Sequence, residues 1–255
     1  MGRVTLRAVL EDPELELAAA YSPGAAGVRL SEIADFPVPP DLRVAESLRQ
    51  LIDARPDVVL DFTTPQAVEE NAPAVAEAAI HLVIGTSGLT PALKATLRRI
   101  AEARGRAVLA VPNFCLGVVL MMKFAQLAAP FYSYCEVVER HHEKKLDAPS
   151  GTAVATAERI AKANPSLSRP LPERETVAGS RGAALGGVGI HALRLPGVMA
   201  EQEVVFGAPG ETLSLVQRTT DRQAFVPGIV MALKRVGDLA PGYHEGLEAV
   251  MEELR

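Results

Sequence analysis

The sequence predicts an α/β protein with a parallel sheet first and a second domain built on a different sheet. Three observations carry this. Between residues 57 and 111, short apolar runs alternate with helical patterns. Those runs are continuous (Val58-Val59-Leu60, Leu82-Val83-Ile84), as in strands covered on both faces, rather than alternating apolar and polar. After residue 130 the pattern changes to longer strands separated by Pro-Gly turns. The chain has 255 residues, 48% of them hydrophobic, with no Trp and 4% aromatics, so the core must be aliphatic.

The elements follow in order. Residues 2–10 place Val4, Leu6, Val9 and Leu10 at helical spacing, and Asp12-Pro13 ends that helix. Residues 15–21 read as a short strand, punctuated by Ser22-Pro23-Gly24, and residues 24–44 as a Gly- and Pro-rich loop. A short helix is expected over 45–52 and a buried strand over 57–62, after which Pro65 opens a helix through 79. The strand over 80–84 ends at Gly85-Thr86-Ser87-Gly88. Thr90 caps a helix that begins with Pro91 and runs to about 103, and the strand over 107–111 ends at Pro112-Asn113-Phe114. In a parallel sheet, ligands sit beyond the carboxyl ends of the strands, where all these polar turns fall.

A strand over 134–139 then delivers a His-His pair, followed by a helix over 152–163 and a long connection over 164–187. Strands over 188–195, 201–206 and 212–219 are separated by Pro196-Gly197 and Pro209-Gly210, and Leu213 and Leu215 alternate with Thr212 and Ser214 as on a sheet with one buried face. Amphipathic helices over 225–236 and 245–254 close the chain.

Several function classes are disfavoured. Net charge is −5 with no basic run, which argues against nucleic acid or an anionic membrane as partner. The longest apolar stretch, 107–122, is broken by Pro112-Asn113 and is too short to span a bilayer. Met1 leads into an amphipathic segment rather than a secretory leader, so a soluble, cytoplasmic protein is expected. Cys115 and Cys135 sit in apolar surroundings and read as buried, reduced thiols. His81, His191 and His244 read as structural or surface residues. No His/Cys/Asp cluster has metal-ligand spacing, so no metal is expected.

The front of the chain departs from a standard nucleotide-binding sheet, which begins with a strand, a Gly-rich turn and a helix whose N-terminus holds pyrophosphate. Here the sequence begins in the helix, with Gly2 as the last glycine of such a turn. Ser22 falls where an acidic ribose ligand is expected. The expectation is a native chain that starts upstream of Met1 and supplies the missing central strand.

The densest chemistry lies between His141 and Ala153. Two imidazoles, Lys144, Lys145, Asp147 and a Ser150-Gly151-Thr152 turn precede an apolar helical run. Amides at a helix start bind anions such as carboxylates, and a strand-end His is suited to general acid chemistry near neutral pH. Asp147 can hold a lysine in place. Beside a dinucleotide domain, this combination points to reduction of a small acidic substrate by hydride transfer.

The run E-R-H-H-E-K-K-L-D-A-P-S-G-T-A resembles the signature of the 4-hydroxy-tetrahydrodipicolinate reductase (dihydrodipicolinate reductase) family. Asp61-Phe62-Thr63, Gly85-Thr86-Ser87-Gly88, Pro112-Asn113-Phe114 and Arg194-Leu195-Pro196-Gly197 fit in order, so the resemblance covers the whole chain except the absent N-terminal strand and Gly-rich turn. It implies a Rossmann-like dinucleotide-binding domain over 1–112 plus 224–255, and a substrate-binding and oligomerisation domain over 113–223 whose open mixed sheet builds a homotetramer. It further implies NADH or NADPH as cofactor and a cyclic dicarboxylate as substrate, in lysine and diaminopimelate biosynthesis. His141 and Lys145 would be catalytic, and His142, Gly151 and Thr152 would bind substrate. Gly85, Thr86, Ser87, Val111, Pro112, Asn113 and Phe114 would contact the cofactor.

Two other readings stand beside this one. A cofactor-impaired truncated form would bind dicarboxylate and oligomerise without turnover. A different oxidoreductase would need another reactive group, such as Cys135.

Overall fold

The computed structural model describes residues 1–169 and 174–252, which form two compact units: Met1–Cys115 with Phe225–Arg255, and Leu116–Ala224.

The first unit starts with helix α1 (Gly2–Glu11), followed by β1 (Ala20–Tyr21), the single-turn α2 (Leu30–Ile33), β2 (Val44–Ala45) and α3 (Leu48–Asp53). Then come β3 (Val58–Asp61), α4 (Pro65–Glu77), β4 (His81–Ile84), α5 (Pro91–Arg104) and β5 (Ala107–Ala110). The strand expected over 15–21 is thus reduced to Ala20–Tyr21, and the loop over 24–44 contains α2. β1 and β2 pair in parallel as a two-stranded sheet of their own, while β3, β4 and β5 belong to a second, four-stranded sheet.

Local chemistry explains why the helices begin where they do. Thr64 and Thr90 cap α4 and α5, their hydroxyls accepting from the N–H groups of Ala67 (3.3 Å) and Leu93 (3.2 Å), with proline next in each case. Val68, Val75, Leu97 and Ile100 from these helices pack on Leu82, Ile84 and Val108 of the sheet. That burial is the main driving force for this unit.

The second unit contains α6 (Leu116–Ala128), β6 (Tyr134–His141), α7 (Gly151–Ala163), β7 (Ala183–Leu185), β8 (Val188–Arg194), β9 (Ala200–Ala208) and β10 (Glu211–Thr219). Its five strands run in the order β10-β9-β6-β8-β7, with β6 and β8 parallel and the other pairs antiparallel. α6 replaces what read as a continuation of an apolar stretch, and β7 lies in the segment read as a plain connection, of which residues 170–173 fall outside the described residues.

Alternation along β6 sorts its side chains. Cys135, Val137 and Glu139 are buried, with Gln202, Val204 and Phe206 of β9 and Ala153, Ala157 and Ile160 of α7 also in the interior. Gln202 Nε2 donates to Thr156 Oγ1 at 2.8 Å, which joins α7 to β9 in the interior. The opposite face carries Glu136, Val138 and Arg140, with Arg140 paired to Glu201 at 2.6 Å.

The chain returns to the first unit with α8 (Val226–Arg235) and β11 (Gly242–Glu245). β11 lies parallel to β5 and completes the order β11-β5-β4-β3. The helix expected over 245–254 is therefore corrected to a strand followed by a 3₁₀ turn at Leu247–Val250, with residues 253–254 outside the described residues. No element was expected over 237–244, where β11 lies with Tyr243 in register with Val108 of β5. α8 packs near α1, and its Lys234 pairs with Asp12 at 2.8 Å and with Glu14.

Candidate active site

In the first unit the carboxyl ends of β3 and β4 carry the expected ligand turns. The Asp61 carboxylate, at the end of β3, is buried and turned back into its own loop. Its Oδ1 accepts from Thr63 N–H and Thr63 Oγ1, both at 2.8 Å, and from Thr86 Oγ1 at 3.1 Å. Gly85 N–H donates to the Asp61 carbonyl at 2.8 Å. One aspartate thus ties the two loops together and exposes no negative charge there.

Met1, Phe62, Thr63, Gly85, Thr86 and Ser87 line an open depression of about 310 Å³. Met1 is the N-cap of α1 and makes no side-chain capping bond, so the positive end of a ten-residue helix borders this depression. These residues fit the phosphate and nicotinamide portions of a dinucleotide. The helix end suits an anion, and the nearest carboxylate is already spent on threonines.

The other expected cofactor residues divide. Val111 and Phe114 are buried, and Phe114 packs edge-on against Phe62 with ring centroids 5.4 Å apart. Pro112 is exposed. Asn113 is half-buried, and its Oδ1 accepts from Cys115 N–H at 2.9 Å. The Val111 and Phe114 side chains support the floor of the strand end, while Pro112 and Asn113 are the accessible pair. Gly85 also has a packing role that sequence reasoning missed: a Cβ there would lie 2.1 Å from Phe62 Cε1 and 2.9 Å from Phe114 Cε2. Ser22 follows β1 directly and is exposed.

In the second unit β6 ends at His141, and α7 begins at Gly151 with Ser150 as its N-cap, the Ser150 hydroxyl accepting from Ala153 N–H at 3.2 Å. The residue that joins them is Glu139, whose side chain is fully buried. Glu139 Oε2 contacts His141 Nδ1 at 2.5 Å and accepts from Arg194 Nη1 at 2.9 Å. Glu139 Oε1 accepts from Arg194 Nη2 at 2.9 Å and from Ser150 N–H at 3.1 Å. Burial alone would raise the pKa of Glu139. The hydrogen bonds from Arg194, His141 and Ser150 outweigh it and hold the carboxyl below its ordinary range.

Arg194 extends the network by donating to the Asp147 carbonyl at 2.6 Å. The Asp147 carboxylate accepts from Lys145 Nζ at 2.8 Å, and this bond lowers the Asp147 pKa. The expected catalytic pair, His141 and Lys145, and the Gly151-Thr152 helix start are therefore reached from one hydrogen-bonded chain. His142 stands apart from it. It lines a second open depression, of about 510 Å³, with Gly197, Met199, Glu201, Arg218 and Thr219. Glu139 and Arg194 are the residues sequence reasoning left without a role. The parity of Glu139 with Cys135 and Val137 along β6 was the available signal, because it places a carboxylate on the buried face.

The remaining histidines make structural bonds. His81 accepts from Ala107 N–H at 3.1 Å, and burial followed by the Arg106 charge lowers its pKa. His191 pairs with Glu136 at 2.7 Å, and His244 bonds the Ala240 carbonyl at 2.8 Å. Both cysteines are buried, and neither is in a disulfide. Burial, then Glu136, pushes the Cys135 thiol up to about 12, which removes it as a nucleophile. Among the described residues no group of His, Cys, Asp and Glu is placed to hold a metal ion, and no helix is long and apolar enough to cross a membrane.

Such an arrangement can bind a carboxylate at a helix start and move a proton at His141, in a chain whose other unit offers a dinucleotide-type strand end. Family models described as dihydrodipicolinate reductase, N-terminus and C-terminus, match residues 1–114 and 117–251. The 4-hydroxy-tetrahydrodipicolinate reductase of Syntrophomonas wolfei is 42% identical over 239 residues, covering 92% of this chain and 89% of the relative. That of Geobacillus thermodenitrificans is 40% identical over 253 residues, covering 99% and 95%. The structure of a dipicolinate-bound dihydrodipicolinate reductase from Paenisporosarcina sp. TG-14 superposes with a TM-score of 0.87 at 38% identity, covering 97% of this chain and 94% of that one. An amine dehydrogenase from Mycobacterium smegmatis shares the fold at 15% identity, with a TM-score of 0.66. The chain belongs to the dihydrodipicolinate reductase family.

Proposed function

We propose that this chain reduces 4-hydroxy-tetrahydrodipicolinate to tetrahydrodipicolinate, with NADH or NADPH as reductant, in lysine and diaminopimelate biosynthesis. The observation that supports the reading is the Glu139-centred network, in which the His141 imidazole and the start of α7 share one buried carboxylate. Residues 1–112 with 224–255 form the dinucleotide domain and residues 113–223 the substrate domain. Met1, Gly85, Thr86, Ser87, Pro112 and Asn113 would hold the cofactor, with Val111 and Phe114 beneath them. The cofactor supplies the hydride. Ser22 neither repels a 2′-phosphate nor replaces a carboxylate ligand, so it sets no preference between the two cofactors.

The substrate loses its 4-hydroxyl as water, leaving a conjugated C=C–C=N system. Hydride addition at one end sends electrons toward nitrogen, and the adjacent carbon then takes a proton. His141 delivers that proton. With Nδ1 against Glu139, the ring's Nε2 is the nitrogen available to substrate. Lys145, steadied by Asp147, supplies positive charge to the developing anion. The Gly151-Thr152 start of α7 binds a substrate carboxylate through its amides, and His142 adds a further contact.

The open face of the five-stranded sheet, with the Arg140–Glu201 pair beside Val138 and Val205, would be the contact surface of a cytoplasmic homotetramer. Light scattering on the purified protein tests the assembly. The activity is tested by following NADH and NADPH absorbance with enzymatically generated substrate. Substrate-dependent oxidation is expected, and its absence with both cofactors would sink the reading.

A further inference from the structure

We propose that Glu139 is a positioning residue that fixes His141 as the Nδ1–H tautomer and, through the same carboxylate, fixes the start of α7. The proposal deepens the activity read above and rests on it for its kinetic consequence, but not for its structural one.

Three facts carry it. First, Glu139 is fully buried, and an ionised carboxylate there accepts but cannot donate. A neutral His141 in contact with it at 2.5 Å must therefore carry its proton on Nδ1 and leave Nε2 bare. Among the described residues Nε2 of His141 makes no hydrogen bond, so the opposite end of the ring is the end left for substrate chemistry. Second, Arg194 already neutralises Glu139 with two hydrogen bonds, both at 2.9 Å. The charge balance of a purely structural ion pair is complete without the imidazole. Third, Glu139 Oε1 accepts Ser150 N–H at 3.1 Å. Ser150 is the N-cap of α7 and precedes Gly151, so the position of the anion-binding helix start is referred to the same carboxylate as the imidazole.

The Glu139→Gln side chain keeps an oxygen at the Oε1 position for Ser150 N–H and Arg194 Nη2, and turns an NH₂ group toward His141, where it replaces the acceptor of Arg194 Nη1. The imidazole must then accept at Nδ1 and carry its proton on Nε2. Acid delivery through the correct tautomer is lost while the helix start is kept. Loss of the correct tautomer in a comparable carboxylate–histidine pair costs about 10⁴ in kcat, and a fall of roughly 10²–10⁴ in kcat with a much smaller change in KM is expected here.

The test is ¹⁵N NMR of the His141 side chain in cofactor-free, substrate-free protein in alkaline buffer, paired with steady-state kinetics. Wild type is expected to show the Nδ1–H tautomer and Glu139→Gln the Nε2–H tautomer. Wild type in the Nε2–H form overturns the proposal, and this measurement needs no variant to fold. An unchanged tautomer in folded Glu139→Gln also overturns it. A switched tautomer with unchanged turnover supports the positioning and refutes His141 as proton donor, so the failure of the inference and that of the activity assignment are told apart.

Discussion

The ring of Phe62 fills the space that a side chain on Gly85 would need, with Cε1 2.1 Å from the ideal Cβ position. The first residue of the turn after β4 is thereby fixed as glycine by packing, independently of any ligand. Gly85→Ala must push aside both Phe62 and Phe114, which overpacks the strand end and should cost about 1–3 kcal/mol. A lower Tm by calorimetry, together with weaker NADH and NADPH binding by fluorescence titration, is expected. An unchanged Tm would show that the two rings yield freely.

His141→Gln keeps a polar side chain at the end of β6 but removes the titrating group. Turnover should fall by roughly 10²–10⁴-fold, the usual range for loss of a general acid, while circular dichroism remains that of the wild type. A folded variant with near-wild-type turnover would show that another group delivers the proton.

Lys145 and Asp147 form a partly exposed pair with a 2.8 Å contact, their side chains 22% and 59% open to solvent. Pairs this exposed contribute little stability. Lys145→Ala should therefore leave Tm nearly unchanged and still cut kcat sharply, whereas Asp147→Asn should cause a milder loss. Equal losses in the two variants would mean that the aspartate has a role beyond steadying the lysine.

Ser150→Ala removes the oxygen that accepts Ala153 N–H at the start of α7. The expected destabilisation is about 1 kcal/mol by chemical denaturation. Fraying at the Gly151 end should appear as a raised KM with little change in kcat. The reverse split would place the helix start outside substrate binding.

Acid should act on the second unit through Glu139, whose folded-state pKa lies below its ordinary value. A depressed carboxyl contributes stability that is fully present above the unfolded pKa and is lost as pH falls through the folded one. The Tm advantage of wild type over Glu139→Gln should therefore be full near neutrality and shrink as pH drops below the ordinary glutamate range. A difference that stays constant into strong acid would argue that Glu139 is not ionised in the fold.

Much of this was readable in advance where local chemistry and burial agreed. α4 and α5 announce themselves by Thr-Pro starts, and β3, β4 and β5 by unbroken apolar runs. α6 was not legible because Ala107 through Met122 merges a buried strand and a buried helix into one apolar stretch, where periodicity has nothing to contrast. β11 was not legible because Tyr243 and its neighbours gain their strand partners from β5, far away in sequence, and only Gly242 and Gly246, both with positive φ, mark the break. In the site, His141, Lys145 and the Ser150-Gly151 turn stood out by residue type. Glu139 did not, since its significance depends on Arg194, 55 residues later.

Burying Glu139 ties the site to the folding reaction itself. A carboxylate cannot leave water before Arg194 of β8 and the start of α7 arrive to meet it. β6, β8 and α7 must therefore close around it as one cooperative step, and a half-assembled second unit would have no oriented imidazole. Loss of activity and loss of sheet signal should then coincide along a denaturant titration, which makes catalysis a direct gauge of how many molecules in a preparation have completed their fold.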